Sequence, residues 1–174
     1  KIISSNRSSG NIEGLNQQLG TNFTSGEFCA VVFKLDFLSK EQAESDHGSG
    51  CQRFIASIKD SMRAHINEMV CFADPPASKC VFIFNYSKGG SIKRGLLQML
   101  AAFKKEKGQD GQTDLTVGMG EPVTDIGGIG KSYRTAMTAV NARMVLGTGK
   151  LIDAKNDLPG AKEIRNVIDL RDEK

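Results

Sequence analysis

Apolar residues recur along this chain with two different periods. In residues 28–37 (FCAVVFKLDF) the run is nearly continuous, the pattern of a strand buried on both faces near the centre of a sheet. In residues 51–66 the spacing becomes helical, placing Phe54, Ile55, Ile58, Met62 and Ile66 on one stripe. Residues 69–73 and 79–86 read as two strands. They are joined through Asp74-Pro75-Pro76-Ala77-Ser78, where two prolines restrict φ and favour a hairpin turn. Gly89-Gly90-Ser91 opens a second amphipathic helix, with Ser91 as N-cap, Ile92, Leu96, Leu100 and Phe103 as the buried stripe and Gly108 as the stop. Residues 114–120 form a strand in which Gly118 and Gly120 allow close packing. A third helix is expected over residues 129–146, with Tyr133, Met137, Val140 and Met144 at helical spacing and Gly147 and Gly149 ending it. Residues 150–153 make a short last strand.

Upstream, residues 11–19 suit a short helix with Ile12, Leu15 and Leu19 on one stripe, Asn11 as cap and Gly20 as stop. Residues 1–10 are polar and read as a loose end, and residues 39–50 as a loop. The central order βαββαβ predicts an α+β fold with a ferredoxin-like core. Its two middle strands form a hairpin, its two helices share one sheet face, and an extra helix and strand follow at the C-terminal side. The division expected is an N-terminal tail with a linker helix (1–27), one folded domain (28–153) and a C-terminal linker (154–174).

The chain has 174 residues, 39% hydrophobic and 25% charged, which suits a globular domain with its own core and argues against disorder or a disulfide mini-protein. No apolar run approaches the ~20 residues of a membrane-spanning helix. With 23 basic and 20 acidic residues, the net charge of +3 does not mark a nucleic-acid binder. No signal peptide is visible, so a cytoplasmic place is expected. The start at Lys1 and the charged stretch 169–174 read as the edges of a segment of a longer protein.

Candidate chemistry is sparse. Cys29, Cys51, Cys71 and Cys80 form no CxxC pair, and the expectation is buried, reduced thiols. Cys71 and Cys80 flank the hairpin and could approach each other. Gly127-Gly128-Ile129-Gly130-Lys131-Ser132 ends like a phosphate-binding loop, but the first glycine of that motif is replaced by Asp125, which would repel phosphate. A loop capping the third helix, through Ser132 or a neighbour, is the preferred reading. Gly118-Met119-Gly120 begins a dinucleotide fingerprint that fails at Val123. His47 and His65 have no facing ligands at metal spacing and are expected at the surface or at a helix end. Asp36, at the end of the first strand, is read as a solvated strand-end acid rather than a metal ligand. Lys104, Lys105 and Lys107 are read as a solvated helix end, where the dipole favours cations.

Two stretches carry a family resemblance. One is Leu15-Asn16-Gln17-Gln18-Leu19-Gly20-Thr21-Asn22-Phe23 with the strand after it. The other is Val117-Gly118-Met119-Gly120-Glu121-Pro122-Val123, followed by Lys131-Ser132-Tyr133-Arg134-Thr135-Ala136 and Val145-Leu146-Gly147-Thr148-Gly149-Lys150-Leu151-Ile152. Over residues 15–153 the chain resembles the degenerate GGDEF-like middle domain of YesN-type bacterial response regulators, which carry an AraC-type DNA-binding end. A related module occurs in CdaR and PucR regulators. The resemblance implies a nucleotide-cyclase-like fold. True GGDEF domains make cyclic di-GMP from GTP, using an Asp two residues before a second Asp in the first strand and then the GG[DE]EF hairpin. Asp36 and Phe37 match the second Asp and the Phe after it. The metal-binding Asp falls at Lys34, a cation hostile to Mg²⁺, and Asp74-Pro75-Pro76-Ala77-Ser78 stands where the hairpin motif would be.

These losses predict no cyclase activity, no catalytic or metal-binding residues and no cofactor. The function expected is a non-catalytic regulatory domain of a two-component transcription regulator, passing its signal by packing or self-association. DNA would be bound by a helix-turn-helix domain outside this segment. A small-molecule or nucleotide sensor that keeps a degenerate cleft, its ligand unknown, is the alternative, and an active cyclase using other residues is the third reading. Apolar positions on the last helix would serve either the core or a homodimer, and core ranks first.

Overall fold

Strand β1 (Glu27–Phe37) is the axis of the fold. Residues 28–33 are buried, because β1 is covered on both faces and paired on both edges. The computed structural model describes residues 12–37, 49–107 and 113–158. In chain order the elements are α1 (Ile12–Leu19), β1, α2 (Ser49–Met62), β2 (Glu68–Asp74), β3 (Lys79–Tyr86), α3 (Lys93–Lys107), β4 (Thr113–Met119), α4 (Ile129–Asn141), α5 (Arg143–Leu146) and β5 (Leu151–Asp153). Short 3₁₀ turns occupy Pro75–Ala77 and Ile126–Gly128.

The sheet order is β2-β3-β1-β4-β5. Its first four strands are antiparallel neighbours, as the split βαββαβ pattern requires, and β5 adds in parallel to β4. Alternation along β1 sorts its side chains between two cores. Cys29, Val31 and Phe33 face α2 and α3 in a cluster with Ile58, Met62, Leu96 and Leu100. Phe28, Ala30 and Val32 face α4 and α1 in a second cluster with Ile129, Ala136 and Val140, against which Ile12, Leu15 and Leu19 pack. The expected mixed α+β fold is the one observed.

In the first cluster Phe33 meets Phe82 and Phe54 edge-on, at ring separations of 5.4 and 6.0 Å, and Phe54 meets Phe103 at 6.0 Å. One aromatic chain thus ties the central strand to both helices of that face. Gly95 lets α2 and α3 cross closely, since a Cβ there would lie 2.5 Å from His65 Cδ2.

Three sequence expectations need correction. The helix ends at Met62 rather than at 66; the His65 N–H closes a turn on Met62 O, and Ile66 packs against the first cluster from outside the helix. The helix expected over 129–146 breaks at Ala142, so α5 turns away and Met144 and Val145 are 80% and 88% exposed instead of facing the core. Of the cysteines, Cys29 and Cys80 are buried as expected, but Cys71 on the outer strand is only half-buried. The Asn11 cap, the Gly108 stop and His47 lie outside the described residues.

Candidate functional site

The end of β1 that carries Lys34 and Asp36 is where the sequence places cyclase-like chemistry. Both residues continue the face of Ala30 and Val32, beyond the point where α4 stops covering it. Register brings Lys79 of β3 opposite Lys34 and Asp114 of β4 opposite Asp36. Asp74 and Lys79 also oppose each other at the mouth of the hairpin, with a 3.6 Å ion pair.

Lys34, Asp36, Asp74, Lys79 and Asp114 each have a partner at this edge. Lys34 Nζ donates to Ala77 O at 2.6 Å, holding the tip of the β2–β3 hairpin to β1. Partial burial pulls the Lys34 amine below its ordinary pKa, with Asp36 opposing and Arg143 reinforcing the shift. Asp36 accepts from Arg143 Nε, at 3.1 Å to one oxygen and 3.4 Å to the other, and Arg143 Nη1 also donates to Val140 O. Asp114 accepts from Thr148 Oγ1 at 2.6 Å, while the Gly149 N–H donates to Thr116 Oγ1. Gly149 holds φ +70° in this turn, and a Cβ would press on the Asp114 carboxylate at 3.2 Å.

The hairpin tip is a 3₁₀ turn over Pro75–Ala77, followed by Ser78 at φ +48°. This edge does not suit a divalent cation. An ammonium stands where an anionic ligand is needed, and the nearest carboxylate is paired with a guanidinium. Among the described residues, no three His, Cys, Asp or Glu side chains are placed to hold a metal ion together.

At the opposite end of the sheet lies a cavity of about 560 Å³, between the start of β1 and the start of α3. Tyr86, Met119 and Ile92 are buried in its floor, and Glu27, Lys93, Glu121 and Lys155 bring charge to its wall. Burial, and then Cys29 and Glu27 nearby, push the Tyr86 phenol above its ordinary pKa. Lys93 Nζ is held at 2.9 Å by Asp153, a carboxylate that is 1% exposed. Burial alone would raise the Asp153 pKa. Bonds from Lys93, Asn156 Nδ2 and the Lys155 N–H outweigh it and bring the pKa below the usual value.

The glycine motifs have structural roles. Asp125 Oδ1 takes the Gly127 N–H at 2.9 Å, so a side chain occupies the amide that a phosphate would need. Lys131 pairs with Glu121 at 2.9 Å. Ser132 is not a cap: it lies inside α4, fully buried, and its Oγ accepts the Ala30 N–H. A Cβ on Gly118 would lie 2.5 Å from Ala136 O, and one on Gly120 would lie 2.1 Å from Ser132 O. The close packing expected at these two glycines is what lays α4 on β4. His65 is half-buried at the α2–α3 crossing, and Lys104 and Lys105 are exposed near the end of α3.

Arg143, Asn85 and Asp153 were not foreseen. Asn85 is fully buried; its Oδ1 accepts the Thr24 N–H and its Nδ2 donates to Thr24 O and Glu27 O. The one signal for it was a polar residue ending the apolar run of β3. Asp36 and Arg143 are too distant in sequence for spacing to link them. Among the described residues, no helix is long and apolar enough to cross a membrane.

A search of curated proteins returns no significant match. Among solved structures, the chain is similar to the active GGEEF domain of a diguanylate cyclase from Vibrio cholerae, at 10% identity and TM-score 0.47, covering 88% of this chain and 94% of that one. It is also similar to an EAL/GGDEF domain protein from M. capsulatus, at 14% identity and TM-score 0.45, covering 83% and 94%. The sequence profile of the GGDEF-like domain matches residues 6–142. That match takes in most of the chain, including β1, the proline hairpin and all of α4, and the protein belongs to the GGDEF-like domain family.

Proposed function

We propose that this domain is a non-catalytic regulatory module of a bacterial transcriptional response regulator, acting in the cytoplasm and transmitting its signal through packing. The observation that carries this reading is the Lys34 clamp. At the position where the motif resemblance puts a cyclase metal ligand, an amine bonds Ala77 O of the hairpin, while Asp36 is neutralised by Arg143. An edge closed in this way favours a structural over a catalytic use of the strand ends. DNA recognition would belong to a helix-turn-helix domain elsewhere in the same protein.

The first test is incubation of the purified chain with GTP and Mg²⁺, read by chromatography. Intact GTP is the expected result, and a cyclic dinucleotide product would sink the reading. The regulatory context is tested by the reading frame on both sides. A receiver upstream and a helix-turn-helix pair downstream are expected, and the absence of both removes the regulator assignment.

A second reading, a small-molecule sensor, is favoured by the cavity at the other end of the sheet, whose volume suits a metabolite. It places the ligand away from the cyclase-like edge. Titration with GTP, cyclic di-GMP and a metabolite panel tests it. A shift in melting temperature that is abolished by Lys93→Ala supports it, and the absence of any shift removes it.

A further inference from the structure

Cys71 and Cys80 have no part in either reading above. The hairpin register sets Cys71 opposite Phe82 and Ala73 opposite Cys80. Side chains two apart on a strand share a face, so the two cysteines are diagonal neighbours on the face of α2 and α3. Cys80 is buried in the first cluster, and Cys71 packs at its edge. The Cys80 thiol is near enough to act on Cys71. Because β2 is the outermost strand, a small solute can reach the half-buried Cys71 while Cys80 stays shielded beneath it.

The surroundings also separate this pair from Cys29. Interaction with the neighbouring Cys80 thiol, aided by Lys59 and opposed by burial, draws the Cys71 pKa below its ordinary value, which raises the reactive thiolate fraction. Burial pushes the Cys29 thiol up to about 12. Its sulfur lies 3.3 Å from Gly120 O, beneath the sheet and out of reach of solutes.

We propose that Cys71 and Cys80 form a two-thiol modification site that hydrogen peroxide converts to a reversible disulfide. The Cys71 thiolate attacks the O–O bond. One oxygen leaves as hydroxide and takes up the proton Cys71 released, forming water, while the sulfur becomes a sulfenic acid. The Cys80 sulfur then attacks it, the S–O bond breaks, and a second water departs with the Cys80 proton. The two sulfurs are oxidised and the two peroxide oxygens reduced. A thiol reductant reverses the bond by exchange.

The site has a mechanical consequence within the fold. Diagonal neighbours must draw together to bond, so closure slides β2 along β3. The hairpin tip that joins those strands is the segment Lys34 holds through Ala77 O. Oxidation therefore acts on the clamp at the cyclase-like edge.

The full chain, fully reduced, is treated with stoichiometric hydrogen peroxide under native conditions. Thiols are counted and the protein is digested for mass spectrometry. The count should fall from four to about two, with a linked peptide pair containing Cys71 and Cys80, and dithiothreitol should restore it. In Cys80→Ser, dimedone should label Cys71 as a trapped sulfenic acid; in Cys71→Ser no residue should be labelled at the same dose. An unchanged thiol count, a bond that includes Cys29 or Cys51, or equal thiol loss in Cys71→Ser would each overturn the proposal.

Discussion

Ser132 Oγ accepts the Ala30 N–H at 2.9 Å, inside the protein. The β1–β4 ladder begins at Val31 and Met119, and beyond it Gly120 bonds Ala30 O while β4 departs from β1. The Ala30 donor would be left buried and unpaired there, and a hydroxyl from α4 supplies the acceptor that β4 no longer offers. The serine that looks like the end of a phosphate loop is thus a rivet between helix and sheet.

Removing that rivet has a defined cost. Ser132→Ala leaves a buried N–H without an acceptor and should destabilise the domain by about 1–3 kcal/mol. Urea unfolding of the variant against the parent, with the slope unchanged, measures it. A change below about 0.5 kcal/mol would mean that Ala30 finds another partner.

Two glycine substitutions should differ sharply. Gly120→Ala drives a Cβ to 2.1 Å from Ser132 O, a backbone atom of α4 that no rotamer change can move, and should cost about 3 kcal/mol. Gly95→Ala meets the His65 ring, which can rotate away, so its cost should be roughly 1 kcal/mol and fall further when combined with His65→Ala. Thermal melts of the three variants check the order.

The stability profile should decline at both ends of the pH scale. Cys29 ionises near 9.0 when unfolded and near 12 when folded, so above pH 9 the unfolded state gives up its proton first and stability falls as pH rises towards 12. Asp153 sits below 3.8 when folded, so its contribution is complete above pH 3.8 and is lost as pH falls through the folded value. Denaturation midpoints from pH 3 to 10 should show both limbs, and Cys29→Ala should flatten the alkaline one.

The Asp36–Arg143 pair is partly shielded, at 28% and 15% side-chain exposure. A double-mutant cycle with Asp36→Ala and Arg143→Ala should return a coupling of about 0.5–1 kcal/mol that shrinks in high salt. A coupling of zero would make the pair incidental to the edge.

On α5, Met144→Gln and Val145→Ser should leave the melting temperature of the dilute protein nearly unchanged, because these side chains are 80% and 88% exposed. Sedimentation of the same variants reports whether the patch self-associates. A large stability loss would restore the core assignment that the periodicity suggested.

Where the sequence was legible, two independent local signals coincided. The proline turn and the strands flanking it made the hairpin readable, and the glycines of β4 announced close packing that α4 does fulfil. Periodicity alone misled in both directions. Ile66 keeps the helical spacing because it is packed against the first cluster, yet it follows the helix; Met144 keeps it and is in solvent, because α5 turns away after Ala142. Neither break carries a proline. At the candidate site, the replacement of an acid by Lys34 was visible as charge. Its bond to Ala77 O and the guanidinium on Asp36 are products of tertiary packing, which no local window contains.

The central place of β1 also sets the order in which the molecule can be made. Val31 must pair with Phe82 on one edge and with Met119 on the other. A nascent chain that ends at Tyr86 can assemble β1, β2 and β3 but leaves one edge of its most apolar strand open. That edge is sealed only after β4 has emerged from the ribosome, and the glycine track that seats α4 comes with it. Slowed translation between α3 and β4 therefore lengthens the interval in which the strand is exposed to chaperones and to other copies of itself.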